Sequence, residues 1–338
     1  MKKETEGTKK KKKNFLSILL RLGLSVALLA YLFSKIDIAA TVEILKTANW
    51  IFLLYAMVPF GVIHFVLLKR WQVLIQAFEL NIPFKNIARF FFIGLFGNLF
   101  LPSAIGGDLI KTVGLCRGNS QKAKVVASVL LDRLSGFGGI VLVASISFIF
   151  GFRLINDLSI LISILLMAAV SIILLLILFN EKLYSFCCLI FSPIPKLKQS
   201  IMKMHYDIVL LKGNLTPLFK AVGLSCLSHL LLPLSWYFLA LALNQEISLV
   251  YFIIFLPLIC VASSVPSQGG LGVREAASAF LFAKVGMNSG VAISISLINY
   301  LFMVFIGLIA GVVFLSTKAA RYHGAETNCE SLSTGEGV

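Results

Sequence analysis

Two stretches of this chain repeat one pattern, and each stands inside otherwise apolar sequence. The first is Leu101-Pro102-Ser103-Ala104-Ile105-Gly106-Gly107-Asp108, and the second is Val265-Pro266-Ser267-Gln268-Gly269-Gly270, closely followed by Arg274-Glu275. Each joins a helix-ending Pro-Ser to a flexible Gly-Gly and then brings ionisable side chains within a few residues. Apolar segments interrupted at corresponding places in two halves indicate a substrate path in a membrane transporter. The predicted hairpin turns are therefore Pro102, Ser103, Gly106, Gly107, Pro266, Ser267, Gly269 and Gly270.

The rest of the chain is too apolar for a soluble fold. Of its 338 residues, 59% are hydrophobic, against about 45–50% in ordinary soluble domains. Runs long enough to cross a bilayer occur at 15–33, 50–68, 124–150, 158–179, 218–243 and 288–316. The apolar regions near 90–101 and 249–265 instead end at the repeated elements. A helix of about 12 residues rises only about 18 Å against a hydrocarbon core of roughly 30 Å, so we predict hairpins that enter and leave on one side.

The positive charges lie between these apolar runs. A net charge of +15 is common in nucleic-acid-binding proteins, but 22 of the 30 Lys and Arg fall on one side of the predicted topology. That side includes both termini, and the positive-inside rule makes it cytoplasmic. The expected location is a cell membrane (inner or plasma), with many passes and no nucleic-acid partner. The same topology inverts one hairpin relative to the other, which predicts an inverted repeat.

The charge pattern also divides the chain. The predicted membrane domain covers 15–316, with a first half at 15–179, a linker at 180–217 and a second half at 218–316. Residues 1–14 form a basic cytoplasmic N-terminus, and 317–338 form a polar cytoplasmic tail that is predicted to be disordered. The run at 15–33 exceeds the core of about 7–15 residues of a signal peptide, so we interpret it as a retained helix.

Six ionisable residues accompany the predicted hairpins and the 124–150 span. A charge near a helix centre costs roughly 2.5–3.5 kcal/mol on insertion scales, a cost that a transport protein accepts for a polar path. Neighbouring helical residues do not face each other, so Asp132 and Arg133 should each find a partner elsewhere. Cations beside helix starts suit a lipid phosphodiester, although sharp bends with solvated charges, or a helix-locking ion pair, would also explain the pattern. The candidate substrate-binding residues are Asp108, Lys111, Asp132, Arg133, Arg274 and Glu275.

Other residues carry weaker predictions. The small residues Ser135, Gly136, Gly138 and Gly139 should let a hairpin pack closely against the 124–150 helix. His64 and His229 stand in apolar runs without acidic neighbours and are predicted to be bonded packing residues. The sequence contains no CxxC, GxxxxGK[ST], HExxH or GxSxG motif, so we predict no catalytic residue, metal or cofactor.

Three motifs together resemble a known family. They are Asn98 to Asp108, then Leu131-Asp132-Arg133-Leu134-Ser135-Gly136, then Pro266 to Glu275. In this order they resemble the flippase-like transmembrane family, which includes the membrane domain of lysylphosphatidylglycerol synthases, over about 16–315. The resemblance implies movement of lipids or lipid-linked precursors between leaflets, with inverted hairpins that line the cavity. Bifunctional members add a soluble aminoacyl transferase domain, whereas about twenty polar residues follow the last span here, so we expect a stand-alone membrane module without lysyl transfer.

The sequence thus predicts an all-α integral membrane protein with about six transmembrane helices and two re-entrant hairpins. Its predicted function is translocation of an anionic phospholipid or a polyprenyl-linked headgroup, with phosphate held by hairpin helix ends, Arg133 and Arg274. Two alternatives remain open. One is an intramembrane enzyme that acts on a lipid carrier, with Asp108, Asp132 or Glu275 as base. The other is a non-transporting partner of an enzyme of envelope-lipid or glycan synthesis. The expected partners are membrane lipids, and a homodimer or a separate synthase partner also remains open.

Overall fold

The described part of the chain is entirely helical. A computed structural model describes residues 46–100, 106–116, 121–151, 158–180, 213–263 and 271–333, and these ranges contain no strand. The all-α prediction is therefore confirmed for them. Their helices are α1 (Trp50–Ala77), α2 (Phe84–Phe100), α3 (Gly106–Cys116), α4 (Lys122–Gly151), α5 (Leu158–Phe179), α6 (Thr216–Ala242), α7 (Leu249–Ala262), α8 (Val273–Ala283) and α9 (Ser289–Ser333).

Four of these helices are long and apolar enough to cross a membrane. The stretches lie in α1, α4, α6 and α9, at Trp50–Ala77, Lys122–Ser147, Thr216–Ala242 and Ser289–Val312. They match four of the six predicted spans, and α5 coincides with the predicted run at 158–179. The predicted run at 15–33 lies outside the described residues, so a count of six stays a prediction. Large apolar side chains such as Ile149 and Leu301 point outwards, as expected where lipid is the solvent.

Local chemistry explains where several helices begin and end. The Asn49 side chain accepts a hydrogen bond from the Ile51 amide at the start of α1, and Pro217 stands in the first turn of α6, where a missing N–H costs nothing. Before α8, Gly272 adopts a φ of 87° that favours glycine. Helix α9 continues to Ser333, into the stretch where the sequence predicts a disordered tail. No proline occurs between 289 and 333 to end it.

Two pairs of short helices occupy the places of the predicted hairpins. In the α2–α3 pair, Gly107 lies against Gly94 and Gly114 lies against Phe90, so the helices run antiparallel. In the α7–α8 pair, the Phe282 ring near the end of α8 lies 4.8 Å from the Phe252 ring near the start of α7. Helices α3 and α8 have 11 residues each, which is a rise of only about 16 Å. Neither is long enough to cross a bilayer.

Apart from α5, the element order is the same in both halves of the described chain. A long helix, a short pair and another long helix follow one another as α1, α2–α3, α4 and again as α6, α7–α8, α9. Each pair contacts the last long helix of the other half, since α2 packs on α9 and α7 packs on α4. Gly106 and Gly107 begin α3, whereas Pro102, Ser103, Pro266, Ser267, Gly269 and Gly270 lie outside the described residues. Re-entry into the membrane and inversion of the repeat therefore stay predictions.

Among the described residues there are two apolar cores, each of which includes residues from both halves, and α1 also contacts α6 directly. One core surrounds the buried Trp71 and the other surrounds the buried Trp236, while the Ser235 hydroxyl donates to the Ala56 carbonyl at 2.8 Å. The small residues of α4 have a different partner from the one expected. Gly139 lies against Ser225 and Cys226 of the long helix α6 rather than against a hairpin, because the missing side chain lets these two backbones approach closely.

Candidate functional site

Five charged side chains from α1, α3 and α4 form one continuous network. Asp132 accepts from Arg70 Nε at 2.7 Å and from Lys111 Nζ at 3.3 Å. Lys111 Nζ also lies 2.9 Å from Asp108 Oδ1, and Asp108 Oδ2 accepts from Arg133 Nε. The charges therefore alternate from a cation at one end to a cation at the other. We call this set the five-charge cluster; its members, in order, are Arg70, Asp132, Lys111, Asp108 and Arg133.

The cluster is buried at one end and partly open at the other. Arg70, Lys111 and Asp132 are buried, whereas 43% of the Arg133 side chain is exposed. Three cations against two carboxylates leave a net positive charge. Buried charges are tolerated when they are paired, whereas removal of one partner leaves the other uncompensated. The pairing is thus well suited to keep a polar group inside an apolar helix bundle, with Arg133 as its most accessible member.

Helix geometry explains why each charge meets the partner that it does. Asp132 and Arg133 are adjacent on α4 and reach different partners, as the sequence predicted, because neighbouring helical positions do not face each other. Asp108 and Lys111 stand three residues apart on one face of α3 and therefore pair. Gly136 leaves room for the Arg70 guanidinium, since a Cβ there would lie 3.2 Å from Nη1.

Sequence reasoning missed Arg70 as a site residue. The predicted span ends at residue 68, so Arg70 counted only as one of the cytoplasmic charges. Helix α1 instead continues to Ala77, and Arg70 Nη1 donates to the Ser225 hydroxyl on α6 at 3.0 Å. Two features of the sequence could have indicated Arg70. It stands beside Trp71 between apolar runs, and Asp132, within an apolar span, needs a cation as its partner.

A cavity of about 380 Å³ lies between all four long helices, two from each half. Its volume falls within the range of roughly 300–1,000 Å³ that is usual for small-molecule sites. Both terminal cations of the five-charge cluster line it, whereas the carboxylates of Asp108 and Asp132 are not among its described lining residues. The wall of the cavity is therefore electropositive. Its polar lining residues are His64, Arg70, Arg133, Ser228, His229 and Asn299.

The neutral polar groups of the cavity differ in their bonding. His64 Nδ1 lies 2.9 Å from the Phe60 carbonyl and His229 Nε2 lies 3.3 Å from the Gly136 carbonyl. Both rings donate to these carbonyls, so the prediction of bonded histidines is confirmed. Asn299 is only 6% exposed, and its Nδ2 has no hydrogen-bond partner among the described residues. A buried donor without a partner costs about 1–3 kcal/mol. Binding of a ligand that brings an acceptor oxygen to this amide is therefore favourable.

The remaining two candidate residues form a separate group with Ser296 of α9, which we call the Arg274 cluster. Arg274 Nη2 donates to Glu275 Oε1 at 2.7 Å, and Arg274 Nε donates to the Ser296 hydroxyl at 2.7 Å. That hydroxyl donates in turn to Glu275 Oε1 at 2.8 Å. Glu275 is fully buried. Neither Arg274 nor Glu275 is among the described residues that line the cavity.

The helix starts predicted to bind phosphate are bonded to the chain's own side chains. The Gly107 amide at the start of α3 donates to Asn98 Oδ1 at 2.8 Å. The Gly272 amide before α8 donates to Glu275 Oε2 at 2.7 Å. These two donors are therefore occupied in this structure. Among the described residues, no group of His, Cys, Asp and Glu is placed to hold a metal ion.

Comparison with known proteins identifies the family. The family model described as the lysylphosphatidylglycerol synthase TM region matches residues 18–311. The chain belongs to this family. It is also 24% identical over 327 residues to the UPF0104 membrane protein PH1989 of Pyrococcus horikoshii. That alignment covers 89% of this chain and 97% of PH1989. The resemblance drawn from the three motifs is thus confirmed.

Membership of the lysylphosphatidylglycerol synthase TM family extends over the whole candidate site. The matched range includes the five-charge cluster, the cavity and the Arg274 cluster. The protein is therefore a membrane protein with several apolar helices, from a family linked to lipid biology.

Proposed function

We propose that this protein moves a lipid with an anionic headgroup, either a phospholipid or a polyprenyl-linked lipid, between the leaflets of a cell membrane. The headgroup passes through the cavity between α1, α4, α6 and α9 while the tails stay in the bilayer. One observation carries the proposal. The five-charge cluster ends in two arginines, and both line a cavity between helices that are long and apolar enough to cross a membrane. Ionisable groups at such depth are costly and mark substrate pathways.

The chemistry of the wall favours an oxyanion. Guanidinium groups bind phosphate through two parallel hydrogen bonds, which a lysine ammonium cannot do. Arg133 is the most exposed cation of the cluster and is held by the carboxylate of Asp108. A headgroup phosphate offers the same kind of acceptor, so it can replace Asp108 on Arg133. Zwitterionic headgroups compete less well because their own cation is repelled by the positive wall.

Replacement of Asp108 gives binding a mechanical consequence. The Asp108–Arg133 pair links α3 of the first short pair to the long helix α4. When the headgroup occupies Arg133, this link is lost and α3 is held to the cluster through Lys111 alone. The α2–α3 hairpin then shifts and opens the cavity towards one leaflet. In this mechanism the two hairpins are re-entrant and inverted, an arrangement supported by the contact of each with the last long helix of the other half.

The Arg274 cluster has a different part in this proposal. Its polar groups bond to one another and hold the start of α8 against α9. We assign it the role of a fixed anchor for the second hairpin. The three carboxylates considered as catalytic bases are all paired with cations, which favours transport without a chemical step on the lipid.

The test is a leaflet-accessibility assay in proteoliposomes. Labelled anionic and labelled zwitterionic lipids are reconstituted on both leaflets, and a membrane-impermeant reagent reports which molecules reach the outside. Wild-type protein is expected to speed exchange of the anionic lipid well above that of the zwitterionic one. Arg133→Gln is expected to slow it at least tenfold at an equal amount of folded protein. Exchange that matches protein-free liposomes, for every anionic lipid tried, contradicts the proposal.

A further inference from the structure

The buried amide of Asn299 is the feature of the cavity that the charge network leaves unexplained. Asn299 lines the cavity and is 94% buried, yet its Nδ2 donates to no described group. The terminal torsion of an asparagine is broad, so its NH₂ can turn towards a ligand without a change of rotamer at χ1. In that orientation the wall carries a neutral donor in addition to its two arginines.

The position of Asn299 on α9 separates it from the Arg274 cluster. Ser296 and Tyr300, four residues apart on one face, contact Arg274. Asn299 and Met303, also four residues apart, lie on the neighbouring face and line the cavity. Helix α9 therefore anchors α8 with one face and places Asn299 at the cavity with the neighbouring face.

We propose that Asn299 donates a hydrogen bond to an acid oxygen of the ligand whose charge is held by Arg133. The cavity is then an oxyanion site built by both halves: the first supplies the charge from α4, and the second supplies the neutral donor from α9. The ligand class is a phosphodiester or a similar oxyacid group. The further statement that a lipid carries this group rests on the proposed function above. A neutral donor adds selectivity for acceptor oxygens without tightening every charged contact, which suits a site that must also release its ligand.

Binding can be measured separately from transport. The purified full-length chain in a non-ionic detergent is titrated with dihexanoyl phosphatidylglycerol, dihexanoyl phosphatidylcholine and inorganic phosphate. The anionic lipid is expected to bind most tightly. Asn299→Leu should weaken its binding about tenfold, because a hydrogen bond to a charged acceptor contributes at least that much. Leu301→Ala, on the outward face of α9 and not among the described lining residues of the cavity, is the matched control and should leave the Kd unchanged.

A second variant covers the case in which Asn299→Leu does not fold. Asn299→Asp keeps the shape of the side chain and places a carboxylate against the ligand, so it should weaken binding of the anionic lipid more than Asn299→Leu does. Unchanged binding in either folded variant overturns the role of Asn299. Inorganic phosphate that binds as tightly as the anionic lipid overturns the lipid as the carrier of the group. If the variants change binding as expected but the wild-type protein does not exchange lipid between leaflets, the proposed function is contradicted and the assignment of the oxyanion site still holds.

Discussion

The two charged clusters found among the described residues contain similar acid–base residues and yet differ in what they face. The five-charge cluster joins three helices and ends in cations at the cavity wall. The Arg274 cluster joins α8 to α9, and its bonds run among its own members. Similar charged residues after two similar sequence elements therefore do not imply two similar binding sites.

The difference arises from where each adjacent acid–base pair stands in its helix. Asp132 and Arg133 lie within α4, where successive side chains diverge and reach separate partners. Glu275 lies in the first turn of α8 and folds back to the Gly272 amide. From that position it also meets the Arg274 guanidinium. At the capping position, Glu275 therefore bonds to its neighbour Arg274. In the middle of a helix, Asp132 and Arg133 instead bond to residues on other helices.

The largest expected effect is on stability and separates the two clusters. Asp132→Asn should lower the free energy of unfolding by about 3–5 kcal/mol, because it leaves Arg70 and Lys111 buried without their shared carboxylate. Glu275→Gln should cost less, since Arg274 keeps its bonds to the Ser296 hydroxyl and carbonyl. Denaturant unfolding in detergent measures both. Adding Arg70→Met to Asp132→Asn should recover part of the loss, and the reverse order of the two single variants would contradict this account.

The next effect concerns function. Arg133→Gln should slow exchange of anionic lipid at least tenfold, which corresponds to about 1.4 kcal/mol. Arg274→Gln should leave the rate within about twofold, once the rate is normalised to folded protein. The reason is that Arg133 lines the cavity and Arg274 is not among its described lining residues. Equal losses in the two variants would mean that the Arg274 cluster also contacts the lipid, as the sequence alone predicted.

A gain of binding is expected when the competitor of the ligand is removed. Asp108→Asn takes away the carboxylate that holds Arg133 and raises the net positive charge of the cluster. The Kd for dihexanoyl phosphatidylglycerol should fall by about three- to tenfold, the scale of roughly 1 kcal/mol. Titration of purified protein checks this. Weaker binding by a well-folded Asp108→Asn variant would show that Asp108 supports the ligand instead of competing with it.

The smallest effects should come from the hydroxyl that accompanies each arginine. Ser225 accepts from Arg70, and Ser296 accepts from Arg274. Replacement of either by alanine should cost about 1 kcal/mol of stability, the usual net value of one hydrogen bond. Only Ser225→Ala should also change anionic-lipid binding, because Arg70 lines the cavity. A binding change in Ser296→Ala alone would reverse the assignment of the two clusters.

The sequence predicted helices better than it predicted neighbours. Apolar length placed the starts of four long helices to within about two residues, because burial in lipid depends on composition along the chain. It ended the first of them before Arg70, since a charge normally stops an apolar run. Arg70 pairs with a residue 62 positions away, and such a contact depends on packing that no local pattern contains.

The candidate site shows the same limit. Adjacent charges within 124–150 correctly predicted divergent partners for Asp132 and Arg133, because helix geometry is local. Nothing in the sequence distinguished Asn299 from any other polar residue of α9. Its significance appears only when the cavity and the unbonded amide are seen together.

The most direct measurement is the position of a headgroup in the protein. An electron cryomicroscopy map in nanodiscs that contain an anionic phospholipid should show phosphate density in the cavity, within hydrogen-bond distance of Arg133 and Asn299. The same map from nanodiscs of zwitterionic lipid should lack it. Phosphate density at Arg274, with the cavity filled only by acyl chains, would contradict the account.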